Sequence, residues 1–306
     1  MDAGALAARG TAREDHMIPA PFEYHRPSSL PDALTLLARL GEDAKILAGG
    51  QSLIPLMKLR LVSPRHVVDI TRIPGLGDIE ERDGALVIGA LVRESELEGS
   101  PLAQRRVPIL VDTCRVVADP LVRNLATVGG NLAHGDPAND HPATMLALRA
   151  EVVAVGPRGE REIPVGQFFI GPLATALAPD EILTAIRVPV PRPRSGGAYL
   201  KLERKVGDFA TAAVAAQVTL GADGACTEVG IGLTNVGPTP LQAPRAEAAL
   251  RGRRPDEAAL RDAAREAAEE CDPAEDLRGS VEYKRDLVRV LTARALRRAL
   301  ERAAAG

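Results

Sequence analysis

Ala48-Gly-Gly-Gln-Ser-Leu-Ile-Pro55 and Thr127-Val-Gly-Gly-Asn-Leu-Ala133 each place a glycine pair directly after an apolar stretch. Paired glycines allow positive φ and bring backbone N–H groups close to a ligand. Successive N–H groups in such turns form a concave anion site. Ser52 and Thr127 add hydroxyls, and Gln51 and Asn131 add amides. Two loops of this kind could clamp a pyrophosphate from opposite sides. A single glycine pair is common turn punctuation; the two together leave ligand binding and plain tight turns evenly matched. Neither follows the Gly-x-Gly-x-x-Gly dinucleotide fingerprint or ends in the Gly-Lys-Ser/Thr of a P-loop, so a nucleotide site here requires a different fold.

Working outward, Ala44–Ala48 reads as a short buried strand leading into the first pair, and His66–Ile70 as another. Ser29 is placed to cap a helix beginning near Pro31 and ending at Gly41, and a second helix is expected over Ile54–Leu59. Ala85–Ile88, Glu151–Val155 and Glu181–Val188 read as strands, with one helix over Leu102–Val117 between the first two. Pro189–Gly197, rich in Pro, Gly and Arg, is the best linker and the main boundary. Beyond it, Ala210–Leu220 and Glu228–Asn235 read as antiparallel strands. Pro255–Glu270 and Ser280–Ala303 read as helices, the last with Val281, Val288, Leu291 and Ala295 on one face.

The length of 306 residues suggests about two domains. Four Phe, three Tyr and no Trp weigh against a base-stacking nucleic-acid binder. A formal net charge of −3 gives no footprint for DNA or an anionic membrane. No apolar run approaches the roughly 20 residues that span a bilayer. Cys114, Cys226 and Cys271 are far apart and odd in number, so they form neither a disulfide framework nor a metal-ligand spacing. They also fall short of the four ligands normally needed by an iron–sulfur cluster. A reducing cytoplasm fits best. Residues 1–16 lack the apolar core of a signal peptide and are expected as a disordered extension, with Met17 an alternative start.

His134-Gly-Asp-Pro-Ala-Asn-Asp-His141 gathers two imidazoles and two carboxylates, but without helical His pairing or zinc spacing. Its Gly, Pro and Asn favour an Asx-rich loop capping the next helix over a metal site. Lys201, Arg204, Lys205 and Asp208 form a charge run after the linker; Arg204 and Lys205 suit solvent or a partner subunit equally well. Arg187, Arg192 and Arg194 read as linker charges. No Ser-His-Asp arrangement is assignable, so no catalytic residue is named.

Both glycine motifs resemble the two FAD-binding motifs of the medium subunit of aerobic carbon monoxide dehydrogenase, within the xanthine dehydrogenase family of molybdenum hydroxylases. Phe22-Glu-Tyr-His-Arg-Pro27, Gly135-Asp-Pro-Ala-Asn-Asp140, Glu203-Arg-Lys-Val-Gly-Asp-Phe-Ala210, Ile231-Gly-Leu-Thr-Asn-Val236 and Glu282-Tyr-Lys-Arg285 resemble that subunit in the same order. The likeness covers almost everything from Met17 to the C-terminus.

The resemblance implies an α+β protein: a two-subdomain FAD-binding domain of the vanillyl-alcohol oxidase (PCMH) type, followed by a smaller α+β domain with an antiparallel sheet and helices. The expected bounds are 17–193 (subdomains about 17–72 and 73–193) and 194–306. It implies that Ala48, Gly49, Gly50, Gln51, Ser52 and Leu53, with Thr127, Val128, Gly129, Gly130 and Asn131, hold the FAD phosphates and ribityl chain. Asp140 is expected near the flavin–ribityl region, and Lys201 at a contact from the second domain. Phe209 stands where the family often has a tyrosine beside the flavin, so a role needing that hydroxyl is lost. The implied cofactor of this chain is FAD; molybdenum cofactor and 2Fe-2S clusters belong to partner subunits. Those partners are a molybdenum-binding large subunit and an iron–sulfur small subunit, in a dimer of heterotrimers. The complex is expected in the cytoplasm, with association at the inner membrane face left open. The implied activity is electron transfer from the 2Fe-2S partner through FAD to a quinone, NAD or oxygen. A stand-alone flavin oxidase or dehydrogenase would instead turn over substrate as a single chain, and a non-catalytic nucleotide-binding module would be colourless.

Overall fold

Parallel strand pairing needs a crossover, and the N-terminal part supplies two. The computed structural model describes residues 17–305, and the extension expected over 1–16 lies outside the described residues. Strand β1 (Glu23–His25), helix α1 (Leu30–Leu40), β2 (Ala44–Leu47), α2 (Leu53–Lys58) and β3 (His66–Asp69) build a parallel sheet of order β1-β3-β2. Ser29 Oγ accepts the Asp32 N–H at 3.2 Å, and Gly41, at φ 59°, ends α1. Ala33 and Leu37 of α1 bury against Ala44, Val68 and Ile70.

Next come β4 (Ile79–Arg82) and β5 (Ala85–Gly89), joined by Asp83 and Gly84 at φ 52° and 75°. Positive φ at both positions is the twist a two-residue hairpin requires. Six helices follow: α3 (Glu94–Gly99), α4 (Pro101–Arg106), α5 (Pro108–Cys114), α6 (Pro120–Arg123), α7 (Val128–His134) and α8 (His141–Ala147). The single helix expected over 102–117 is therefore broken. Pro108 cannot donate to the helix ladder and drives Val107 out of helical geometry, to φ −143° and ψ 67°.

Strands β6 (Glu151–Gly156) and β7 (Gly159–Pro164), helix α9 (Val165–Phe168), the hairpin β8 (Phe169–Gly171) and β9 (Ala174–Thr175), and β10 (Ile182–Pro189) complete this part. Its main sheet is antiparallel, in the order β4-β5-β10-β6-β7. Arg187 lies within β10 and pairs with Glu162 at 3.2 Å, so it is a sheet residue rather than a linker charge.

The link between the two parts is shorter than Pro189–Gly197, because β11 (Ser195–Leu202) already contains Gly196 and Gly197. A methyl group on Gly196 would overlap the Ala299 carbonyl, so this glycine serves close packing rather than flexibility. β12 (Ala212–Leu220), β13 (Cys226–Thr234) and β14 (Leu241–Gln242) continue an antiparallel meander, followed by α10 (Pro244–Leu250), α11 (Glu257–Glu270) and α12 (Val281–Ala305).

Both faces of this last sheet are buried. Ala212, Val214, Ala216 and Val218 face the C-terminal helices, while the alternating Ala213 and Ala215 join the core of the preceding part. Gly230 and Gly232 leave room for the α8 backbone at Ala147 and Ala143. This small-residue face seats the C-terminal sheet on α8, directly behind Asp140. Among the described residues, no helix is long and apolar enough to cross a membrane.

Candidate functional site

A cleft of about 910 Å³ opens between the parallel sheet, the antiparallel sheet and the edge of β11. Ala48, Gly49, Gly50, Gln51, Ser52 and Leu53 line one wall, and Thr127, Gly129, Gly130 and Asn131 another. Asp140, Lys201 and Phe209 line it as well. Val128 does not: it is fully buried in the core beneath α7.

The two glycine motifs differ in kind. Of their four glycines only Gly50 has positive φ, at 73°. The N–H groups of Gly49, Gly50, Gln51, Ser52 and Leu53 donate to no described residue. In the second motif every early N–H already has an acceptor. Val128 donates to Val92 O at 2.9 Å, Gly129 to Ala90 O at 3.2 Å, Gly130 to Thr127 Oγ1 at 3.1 Å and Asn131 to Thr127 O at 2.9 Å. That segment is the first turn of α7, capped by Thr127, and not a second open loop. Gly129 is needed because a Cβ there would come within 2.6 Å of the Ala90 backbone. The pair of loops read from the sequence is thus one open donor run facing one closed helix end. The α7 side still offers an acceptor, since the buried Asn131 Oδ1 has no partner.

Asp140 sits at the start of α8 without capping it. Tyr199 donates its hydroxyl to Asp140 Oδ1 at 2.6 Å, and Lys201 Nζ donates to Asp140 Oδ2 at 3.0 Å. Burial raises the Asp140 carboxyl above its ordinary value, and the Lys201 ammonium and Tyr199 hydroxyl offset that only in part. Lys201 also donates to Val116 O at 2.9 Å and lies 3.3 Å from Glu203. With its ammonium so engaged, Lys201 acts on the cleft chiefly through Asp140. Tyr199 was not anticipated, although it lies two residues before Lys201 on one strand and so on the same face.

The His134–His141 segment separates its imidazoles. Asp136 makes an Asx turn, accepting the Ala138 N–H at 2.8 Å, as the Gly/Pro/Asn content suggests. His134 lines the cleft, and burial lowers its pKa below the usual imidazole value. His141 is fully buried against Glu94 at 2.6 Å, with Cys114 Sγ 3.8 Å away. Burial lowers the His141 value, but the Glu94 carboxylate outweighs this and leaves it raised. At the cleft's other end Arg161 grips Glu181 through hydrogen bonds of 2.8 and 2.7 Å. Phe209 is half-exposed, with the Arg278 guanidinium 6.0 Å from its ring centre.

The family described as the FAD binding domain in molybdopterin dehydrogenase matches residues 20–191, and the CO dehydrogenase flavoprotein C-terminal domain matches residues 197–299. The chain is 45% identical over 288 residues to the carbon monoxide dehydrogenase medium chain of Hydrogenophaga pseudoflava, covering 94% of this chain and 100% of that one. It is 37% identical to the 6-hydroxypseudooxynicotine dehydrogenase complex subunit alpha of Paenarthrobacter nicotinovorans, covering 94% and 97%. A solved carbon monoxide dehydrogenase from Hydrogenophaga pseudoflava that lacks the Mo-pyranopterin moiety superposes with a TM-score of 0.92 at 47% identity, covering 94% and 99%. With both matched domains in order along nearly its whole length, the chain belongs to the FAD-binding medium subunits of the molybdenum hydroxylase family.

Proposed function

We propose that this chain holds FAD in the cleft and relays electrons from a partner 2Fe-2S subunit to a quinone, NAD or oxygen, while a molybdenum-binding large subunit oxidises the substrate. One observation carries the reading. A run of free amide N–H groups from Gly49 to Leu53 lines the same cleft as Asn131, whose buried Oδ1 has no partner. An anionic pyrophosphate needs converging donors, and a polyol chain needs an acceptor for its hydroxyl hydrogens. The cleft volume of about 910 Å³ suits an extended dinucleotide. Residues and cofactor therefore fit.

When bound, FAD supplies the exchange between single electrons and electron pairs; the protein supplies binding and orientation. Gly49–Leu53 neutralise phosphate charge through backbone dipoles. Thr127, through its cap on α7, fixes the wall that carries Asn131. Asp140, braced by Tyr199 and Lys201, presents a fixed acceptor. Phe209 gives an apolar surface with no hydroxyl to hold or move a proton. On this reading residues 17–193 form the FAD-binding domain, in parts of about 17–72 and 73–193, and residues 194–306 form the C-terminal domain. The assembly is a cytoplasmic dimer of heterotrimers, reaching the inner membrane face only through the complex.

Purification of the complex from its native cell, with subunit identification and visible spectra, tests this. The expected result is a brown preparation with flavin and iron–sulfur bands on three chains. A lone yellow chain that turns over an organic substrate would overturn it, as would a colourless one.

A further inference from the structure

Strand β1 is only three residues long and forms the edge of the parallel sheet. It pairs with β3 so that Glu23 lies beside His66 and His25 beside Val68. Residues two apart on a strand share a face, and neighbours in a parallel pair face the same way. Glu23, His25 and His66 therefore project together from one side of the sheet edge. None of the three lines the FAD cleft.

Their donor atoms converge. His25 Nε2 lies 3.2 Å from His66 Nδ1, and Glu23 Oε2 lies 3.5 Å from His66 Nδ1 and 3.9 Å from His25 Nε2. An ion bound tetrahedrally at about 2.0–2.1 Å holds neighbouring ligand atoms about 3.3–3.4 Å apart. The triangle already has nearly that size. Three lone-pair-bearing atoms face one another, and a single ring proton can satisfy only one of the contacts. A cation would satisfy all three. The two imidazole side chains are 21% and 18% exposed and Glu23 is 74% exposed, so an ion can enter from solvent and keep a water ligand.

We propose that Glu23, His25 and His66 bind a divalent transition-metal ion of the zinc type and thereby clip edge strand β1 to β3. Two imidazoles and one carboxylate suit zinc and its neighbours better than magnesium or calcium, which prefer all-oxygen shells. The ligands come from two strands, so binding stabilises their pairing without touching the cofactor cleft.

The full-length chain, stripped with a chelator, is titrated with Zn²⁺ against a chromophoric chelator and separately with Co²⁺ in the visible. The expected result is one Zn²⁺ per chain and a four-coordinate Co²⁺ spectrum without a thiolate charge-transfer band. His25→Ala and His66→Ala should each weaken binding about 10-fold or more. Zn²⁺-dependent slowing of amide exchange in Glu23–His25 should be lost in both. His25→Gln, which keeps side-chain bulk, repeats the test if an alanine variant misfolds. Substoichiometric binding, or affinity unchanged in the histidine variants, would overturn the proposal. So would a thiolate–Co²⁺ band abolished by Cys114→Ser, since that would put the ion in the buried group of Glu94, Cys114 and His141.

Discussion

Tyr199 donates its hydroxyl hydrogen to Asp140 Oδ1 over 2.6 Å, tying a strand of the C-terminal sheet to the residue that opens α8. Both side chains are buried, and Lys201 occupies the other carboxylate oxygen. The cleft wall at Asp140 is thus built from both parts of the chain.

Removing either donor should expose the difference between them. Tyr199→Phe deletes one hydrogen bond to a charged acceptor and should cost about 1–3 kcal/mol. Lys201→Met leaves the buried carboxylate without its cation and should cost about 3–5 kcal/mol. Urea unfolding of the cofactor-free variants measures both, and a larger loss for Tyr199→Phe would refute the ranking.

The glycine motifs should fail in different ways. Gly50→Val meets a φ of 73° and crowds only the Ile54 and Leu47 side chains at the half-buried turn before α2, so the variant should fold yet retain little flavin. Gly129→Val forces a branched side chain into the Ala90 backbone, so the fold itself should be lost. Soluble yield and the flavin-to-protein absorbance ratio separate the two outcomes. Full flavin occupancy in Gly50→Val would show that the open donor run is not the phosphate site.

Acid sensitivity should depend on Glu181. Hydrogen bonds from Arg161 hold its carboxyl below the usual glutamate value. A lowered carboxylate gives stability that is present above its unfolded pKa and lost as pH falls through the folded one. The unfolding midpoint should therefore drop more steeply between roughly pH 5 and 3 in the native chain than in Glu181→Gln. The contribution should be at most about 1 kcal/mol, because Arg161 is half in water. Equal slopes would dismiss the pair as a source of pH dependence.

Arg302 near the end of α12 reaches back to Asp112 of α5 and to the Gly197 carbonyl. Arg302→Ala should destabilise the chain by about 1.5–3 kcal/mol. It should also speed amide exchange in β11 ahead of β12. An unchanged midpoint would reduce the contact to a surface pairing.

Much of this architecture is legible from residues alone. The 44–48 and 66–70 strands, Ser29 as cap, Gly41 as stop and the antiparallel C-terminal strands all follow from local chemistry that tertiary packing does not override. Helix α7 was not legible, because a Gly-Gly pair has among the poorest helix propensities. It is helical because Thr127 caps it and Ala90 and Val92 accept its first N–H groups, partners more than thirty residues away. Pro108 carries the signal that breaks the helix expected over 102–117, since it cannot donate to the helix ladder. The glycines of β13 likewise signalled close backbone approach; which backbone approached depended on α8. For the cleft, residue types identified the walls, while the unequal state of their N–H groups required coordinates.

Because Ala213, Ala215, Gly230 and Gly232 turn one face of the last sheet into a seat for α8, the link after Pro189 divides the sequence without dividing the core. A protease cutting between residues 190 and 194 would sever the chain yet leave the fragments interlocked. Made separately, the C-terminal piece would present a bare strip of alanine and glycine backbone to water. Joining the halves in one polypeptide therefore ensures that this strip is covered as soon as both have been synthesised.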